Sequence, residues 1–141
     1  MQRRDGYRGI ATLGNGQASI ASRRGVDMAA WFAELAGLDG ALGDHQVVVD
    51  GELVALDAAG RPDFTSLQQR MRARGRPNRP AAGVVPVVYV AFDLLYLDGR
   101  LLVGRPWAER RARLEALGLA GPAWQTTPSF PATARWWLRH P

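Results

Sequence analysis

The sequence contains no cysteine and no lysine. The first absence removes disulfides and thiolate metal sites, and nothing else points to an oxidising compartment. With His45 and His140 as the only histidines, a centre built on several imidazoles is out of reach. A divalent ion would have to be held by carboxylates and phosphate oxygens, which suits magnesium. The opening residues show no charged leader before an apolar run, and no later stretch has the length to cross a bilayer. A cytoplasmic protein with no membrane partner is therefore expected.

What is present is arginine: all 18 basic side chains are arginine, set against 13 acidic ones, for a net charge of +5. A basic balance favours a polyanionic partner, because neutralising phosphates releases counterions. Codon usage behind an Arg-, Ala-, Gly- and Pro-rich composition accounts for the charge equally well. A chain of 141 residues with 47% hydrophobic content suffices for one domain with a core of its own.

Local patterns divide the chain into strands and helices. Tyr7 to Thr12 and Gln17 to Ser22 are β-prone runs joined by Asn15-Gly16, a hairpin signal. From Asp27 as N-cap, Trp31, Leu35 and Leu38 recur at helical spacing. Gln46 to Leu56 reads as a strand. Thr65 or Ser66 is placed to cap a helix through Met71 that stops near Gly75, before an arginine-rich loop. Pro86 opens a second long strand that Asp98-Gly99 closes. Trp107 to Leu117 reads as a helix with Trp107, Leu114 and Leu117 inward and its arginines outward, and Ala132 to Leu138 as a last helix. Hairpin turns outnumber crossovers, so the expected class is α+β, antiparallel sheets flanked by helices.

Strand alternation puts Val48, Asp50, Glu52 and Val54 on one face of the first long strand. Two carboxylates on an otherwise apolar strand are costly unless paired or cation-bound, so they mark either a site or a structural ion pair with arginine. By the same rule Val88, Val90, Phe92 and Leu94 share a face, opposite Tyr89, Ala91 and Asp93. Phe92 alone is as readily core as a stacking platform. Arg8, after the flexible Asp5-Gly6, and Arg23 in Ser22-Arg23-Arg24-Gly25 present guanidinium forks at strand ends, suited to phosphate and ribose or to surface ion pairs. The run Arg70, Arg72, Arg74, Arg76, Arg79 is either a solvated helix end and loop or a phosphate contact.

The succession RRDGYR, SRRG, VVVDGELVALDAAGRPDF, LQQR and YVAFDLLYLDGR, followed by RRARLEAL, resembles the bacterial ATP-dependent DNA ligases, especially those of end joining. The resemblance covers essentially the whole chain, and DGELV followed by FDLLYLDG is specific to the covalent nucleotidyltransferase superfamily. It implies a partial, ATP-grasp-like adenylation domain over residues 1–141, without an oligonucleotide-binding domain. ATP and magnesium are the implied cofactors, and double-stranded DNA with nicks or ends the implied substrate. In such ligases a lysine attacks the α-phosphate of ATP, the adenylate passes to a DNA 5′-phosphate, and a 3′-hydroxyl displaces AMP. Carried over by motif, Arg8 and Arg23 match ribose and phosphate contacts. Glu52 matches the acidic residue that holds ribose or metal, and Phe92 the aromatic that stacks on adenine. DNA contacts are expected from Arg70, Arg72, Arg74 and Arg76. The family's Lys-x-Asp-Gly-x-Arg pattern departs at its first position, where Arg3 stands. A guanidinium keeps its proton and delocalises its nitrogens, so it cannot serve as the attacking amine. The expected protein is therefore a ligase adenylation-domain fragment that is not catalytic alone or, alternatively, a non-catalytic pseudoenzyme or remnant that binds nucleotide or DNA weakly.

Overall fold

The computed structural model describes residues 6–72 and 85–127. Arg3, Arg74, Arg76, Arg79 and the helix expected over Ala132 to Leu138 lie outside these residues.

Strand β1 (Tyr7–Gly14) turns at Asn15-Gly16 into β2 (Gln17–Ala21). Both turn residues have positive φ, 54° and 72°, the conformation that lets a two-residue turn follow the twist of a hairpin. β3 (Val47–Ala55) pairs antiparallel with β1, and β4 (Val87–Leu97) pairs antiparallel with β3. A second turn of the same kind, Asp98-Gly99 with φ 47° and 93°, folds β4 back onto the short β5 (Arg100–Leu101). The resulting six-stranded sheet has the order β2-β1-β3-β4-β5. Its sixth strand, β6 (Trp124–Thr126), runs parallel to β4 after the chain has crossed over through a helix. This one parallel pair is not what the hairpin signals suggest, because three residues carry too little pattern to read as a strand.

The helices are α1 (Phe64–Arg72) and α2 (Trp107–Leu117). Asp63, rather than Thr65 or Ser66, caps α1: its carboxylate accepts the Ser66 amide at 3.0 Å and the Ser66 hydroxyl at 2.9 Å, which holds the Asp63 carboxyl below its usual range. The single helix expected after Asp27 is instead three short 3-10 turns, Ala29–Trp31, Ala33–Leu35 and Leu38–Gly40. Extended Phe32 and Ala36 interrupt it, and Gly37 at φ 99° leads into the third turn. Asp27 still acts locally, accepting the amides of Ala29 and Ile20, both at 2.9 Å.

The core lies on one face of the sheet. Val47, Val49, Leu53, Val87, Tyr89 and Leu94 meet Phe32, Leu35 and Leu38 from the 3-10 segment, Leu67 from α1 and Leu114 from α2. Full burial of such side chains stabilises by roughly 1.5–3 kcal/mol each before entropy is counted. Trp107 departs from expectation: it follows the inward phase of Leu114 along α2, yet it is 58% exposed. It occupies the first turn of the helix, beyond the reach of the core.

Two glycines let strands approach where a Cβ would collide. At Gly51 a Cβ would sit 2.4 Å from the Val90 carbonyl and 2.7 Å from the Tyr89 ring. The space goes to Tyr89, whose buried hydroxyl donates to the Gly9 carbonyl at 2.7 Å. At Gly6 a Cβ would lie 2.5 Å from the Leu53 carbonyl and 2.8 Å from Glu52 Oε2.

Candidate functional site

The site is built on the sheet face opposite the core. Arg8 of β1 stands across the ladder from Glu52 of β3, and Ile10 from Asp50. Arg8 therefore reaches diagonally to Asp50, donating from Nε to Oδ1 at 2.8 Å and from Nη2 to Oδ2 at 2.5 Å. The Asp50 hydrogen bond raises the Arg8 pKa, and burial opposes it. The guanidinium carbon lies 5.1 Å from the centroid of the Phe92 ring, within cation–π range. Asp50 and Glu52 are buried at 9% and 5% exposure, whereas the Arg8 side chain keeps 45% of its surface. The arrangement is a buried carboxylate floor, a cation held flat over it, and an aromatic ring against that cation.

Phe92 keeps the face that alternation gives it, with Val90 opposite Glu52, but the strand departs from alternation immediately after it. The β3–β4 ladder passes from Asp50 opposite Asp93 to Gly51 opposite Ala91, leaving Phe92 as the extra residue of a β-bulge. Leu94 consequently joins Tyr89 and Ala91 in the core. The expectation that Leu94 would share the face of Phe92 fails for this reason. Arg23 lies in the exposed turn after β2, where Ser22 donates its amide to the Val26 carbonyl at 2.8 Å. The β1–β2 ladder ends at Ile10 opposite Ala21, two residues short of both Arg8 and Arg23, so the two arginines lie beyond the same end of that ladder, Arg8 still paired with β3.

Arg70 behaves differently from the expected DNA contact. It is 6% exposed and places its fork on Glu34, with both hydrogen bonds at 2.7 Å, while Phe32 lies 5.5 Å from its guanidinium. A guanidinium committed to a buried carboxylate is a structural cation. Arg72, at the end of the same helix, is exposed.

Sequence features described as the ATP dependent DNA ligase domain match residues 2–127. The chain belongs to this ligase family. It is 43% identical over 116 residues to the multifunctional non-homologous end joining DNA repair protein LigD of Mycobacterium tuberculosis, covering 82% of this chain and 14% of that protein. The crystallised ligase domain of M. tuberculosis LigD superposes with a TM-score of 0.69 at 38% identity, covering 95% of this chain and 42% of that one. A mycobacterial DNA ligase D complexed with ATP and MES gives 0.67 at 39% identity, with the same coverage of 95% and 42%. Family and fold thus identify adenylation-domain sequence of the bacterial end-joining ligases, a family that uses ATP and acts on DNA. Among the described residues, no helix is long and apolar enough to cross a membrane.

Some residues that shape this candidate site do not stand out in the sequence. Asp50 is visible there as a carboxylate on the right face, but its pairing with Arg8 is not. The pairing of Asp93 with Arg110 is also missed, the arginines of α2 being expected outward, although a lone aspartate inside the apolar run AFDLLYL is an available signal.

Proposed function

We propose that this chain forms the nucleotide-binding floor of an ATP-dependent end-joining DNA ligase, without the nucleophile for enzyme adenylation. The observation that carries the reading is the meeting of Arg8, Glu52 and Phe92 on one sheet face, with the Arg8 guanidinium 5.1 Å from the Phe92 ring. An adenine stacked on Phe92 would bring the ribose to Glu52 and the phosphates toward Arg8 and Arg23. The similar mycobacterial DNA ligase D is complexed with ATP, which supports ATP as the ligand.

Magnesium fits as an ion delivered with the triphosphate. Among the described residues no group of three metal-ligating side chains exists, so Glu52 would be the protein carboxylate and phosphate oxygens would complete the shell. When bound, the ion would neutralise charge on the phosphates. Attack on the α-phosphate requires a neutral amine, and Arg3 stands at the lysine position of a chain with no lysine. The substrate in this reading is double-stranded DNA with nicks or ends, in the cytoplasm, with Arg72, Arg74 and Arg76 on its phosphates.

Calorimetric titration of ATP with magnesium into the chain and its Phe92→Ala variant tests the proposal. Binding at about the millimolar level, near −4 kcal/mol, is expected for the chain, and none for the variant. Micromolar binding insensitive to Phe92→Ala would show that the floor lies elsewhere.

A further inference from the structure

The bulge at Phe92 turns Asp93 onto the same face as Phe92, beside the site. An extra residue takes ladder groups out of register and lets the strand bend, so its geometry depends on what holds it from outside. Here α2 holds it. Arg110 donates from Nε to Asp93 Oδ1 at 2.8 Å and from Nη2 to Oδ2 at 3.1 Å, and each side chain is 16% exposed. The same guanidinium donates from Nη1 to the Arg105 carbonyl at 2.5 Å, just before the helix begins. Arg111 brings Nη1 to 3.5 Å from the Phe92 carbonyl, at the limit of a hydrogen bond, and donates to the Thr127 hydroxyl at 2.5 Å.

Consecutive arginines of one helix thus address the two residues of the bulge, one by its side chain and one by its backbone. The apolar core does not require this grip. Leu94, the next residue, is fully buried among apolar side chains, whereas the Arg110 and Asp93 side chains each keep 16% of their surface. What the grip does fix is the backbone immediately beside Phe92. A bidentate guanidinium–carboxylate pair sets orientation as well as distance, which a point charge cannot do.

We propose that Arg110 is a positioning residue for the nucleotide site: by clamping Asp93 it fixes the bulge and hence the plane in which the Phe92 ring meets Arg8. The nucleotide part of this inference rests on Phe92 being the adenine platform, but the ring's placement against Arg8 does not.

The test uses two readouts on Arg110→Gln, Arg110→Lys, and the exchanged pair Asp93→Arg with Arg110→Asp. The first is the NMR resonance of the Arg8 side chain, which the Phe92 ring current shields; Phe92→Leu marks its unshielded position. Arg110→Gln should move that resonance toward the Phe92→Leu position while methyl signals of Leu53 and Leu67 stay in place. Arg110→Lys, which keeps the charge and safeguards folding, should move it part of the way, and the exchanged pair should bring it back. The second readout is ATP affinity, expected to fall by about tenfold in Arg110→Gln and to recover in the exchanged pair. An Arg8 resonance unmoved in both single variants overturns the proposal. If the parent chain binds no ATP, the reading under Proposed function falls, and the Arg8 resonance still decides the role of Arg110.

Discussion

Glu34 binds Arg70 through both carboxylate oxygens at 2.7 Å, and one of those oxygens also accepts the amide of Val87 at 2.7 Å. One side chain from a 3-10 turn thereby joins the last turn of α1 to the first residue of β4. Burial alone would raise the Glu34 pKa; Arg70 and the Val87 amide outweigh it and hold the carboxyl below its ordinary value. Removing one partner of a buried pair leaves the other charge uncompensated, so Glu34→Gln should cost about 3 kcal/mol by urea unfolding at neutral pH. A group with a depressed folded pKa stabilises above its ordinary pKa and loses that contribution as pH falls through the lowered value. The gap between parent and Glu34→Gln should therefore narrow on acidification. A gap that stays constant down to about pH 2 would remove Glu34 from this role.

Incubated with ATP and magnesium, the chain should gain no covalent AMP by intact-mass measurement. The reason is chemical: Arg3 keeps its proton, and no lysine is present to replace it. An acid-stable adduct of AMP mass would overturn this expectation and restore an active first step.

Gly51→Ala places a methyl group against the Val90 carbonyl and the Tyr89 ring, both of them buried. The expected loss is about 1–3 kcal/mol, the usual range for overpacking, with the upper end favoured because backbone cannot swing aside. Thermal unfolding of the variant checks this. A change indistinguishable from zero would mean that the β3–β4 spacing is looser than the Tyr89–Gly9 hydrogen bond requires.

Binding to duplex DNA should be weak, independent of sequence, and steeply lost with salt. Replacing Arg72, Arg74 and Arg76 together by glutamine should flatten the logarithmic salt slope by roughly 2–3, close to one for each phosphate left without its arginine. Arg70→Gln is the internal control: its guanidinium is held by Glu34, so stability should fall while the DNA salt slope stays where it was. A slope unchanged in the triple variant assigns those arginines to solvation.

Much of the fold is legible in the sequence because its signals are local. Alternation along Val47 to Ala55 and the Asn15-Gly16 and Asp98-Gly99 pairs mark four strands within a residue or two of their ends. The face shared by Asp50 and Glu52 is likewise readable from period two. What escapes depends on partners distant in sequence. The bulge at Phe92 arises from pairing with β3, the exposure of Trp107 from where the core ends, and the capture of Arg70 from Glu34, 36 residues away. The break of the helix after Asp27 has a local cue in Gly37 and Gly40, but helical spacing of the apolar residues outweighs it.

The double grip of Glu34 bears on how the chain tolerates change in length. Because Arg70 and Val87 meet at one carboxylate, the ends of the stretch between them are fixed by contacts outside that stretch. Closing a loop between fixed ends becomes only about 0.6 kcal/mol harder when its length doubles. A change in the number of residues between Arg70 and Val87 would therefore leave α1 and β4 in their places.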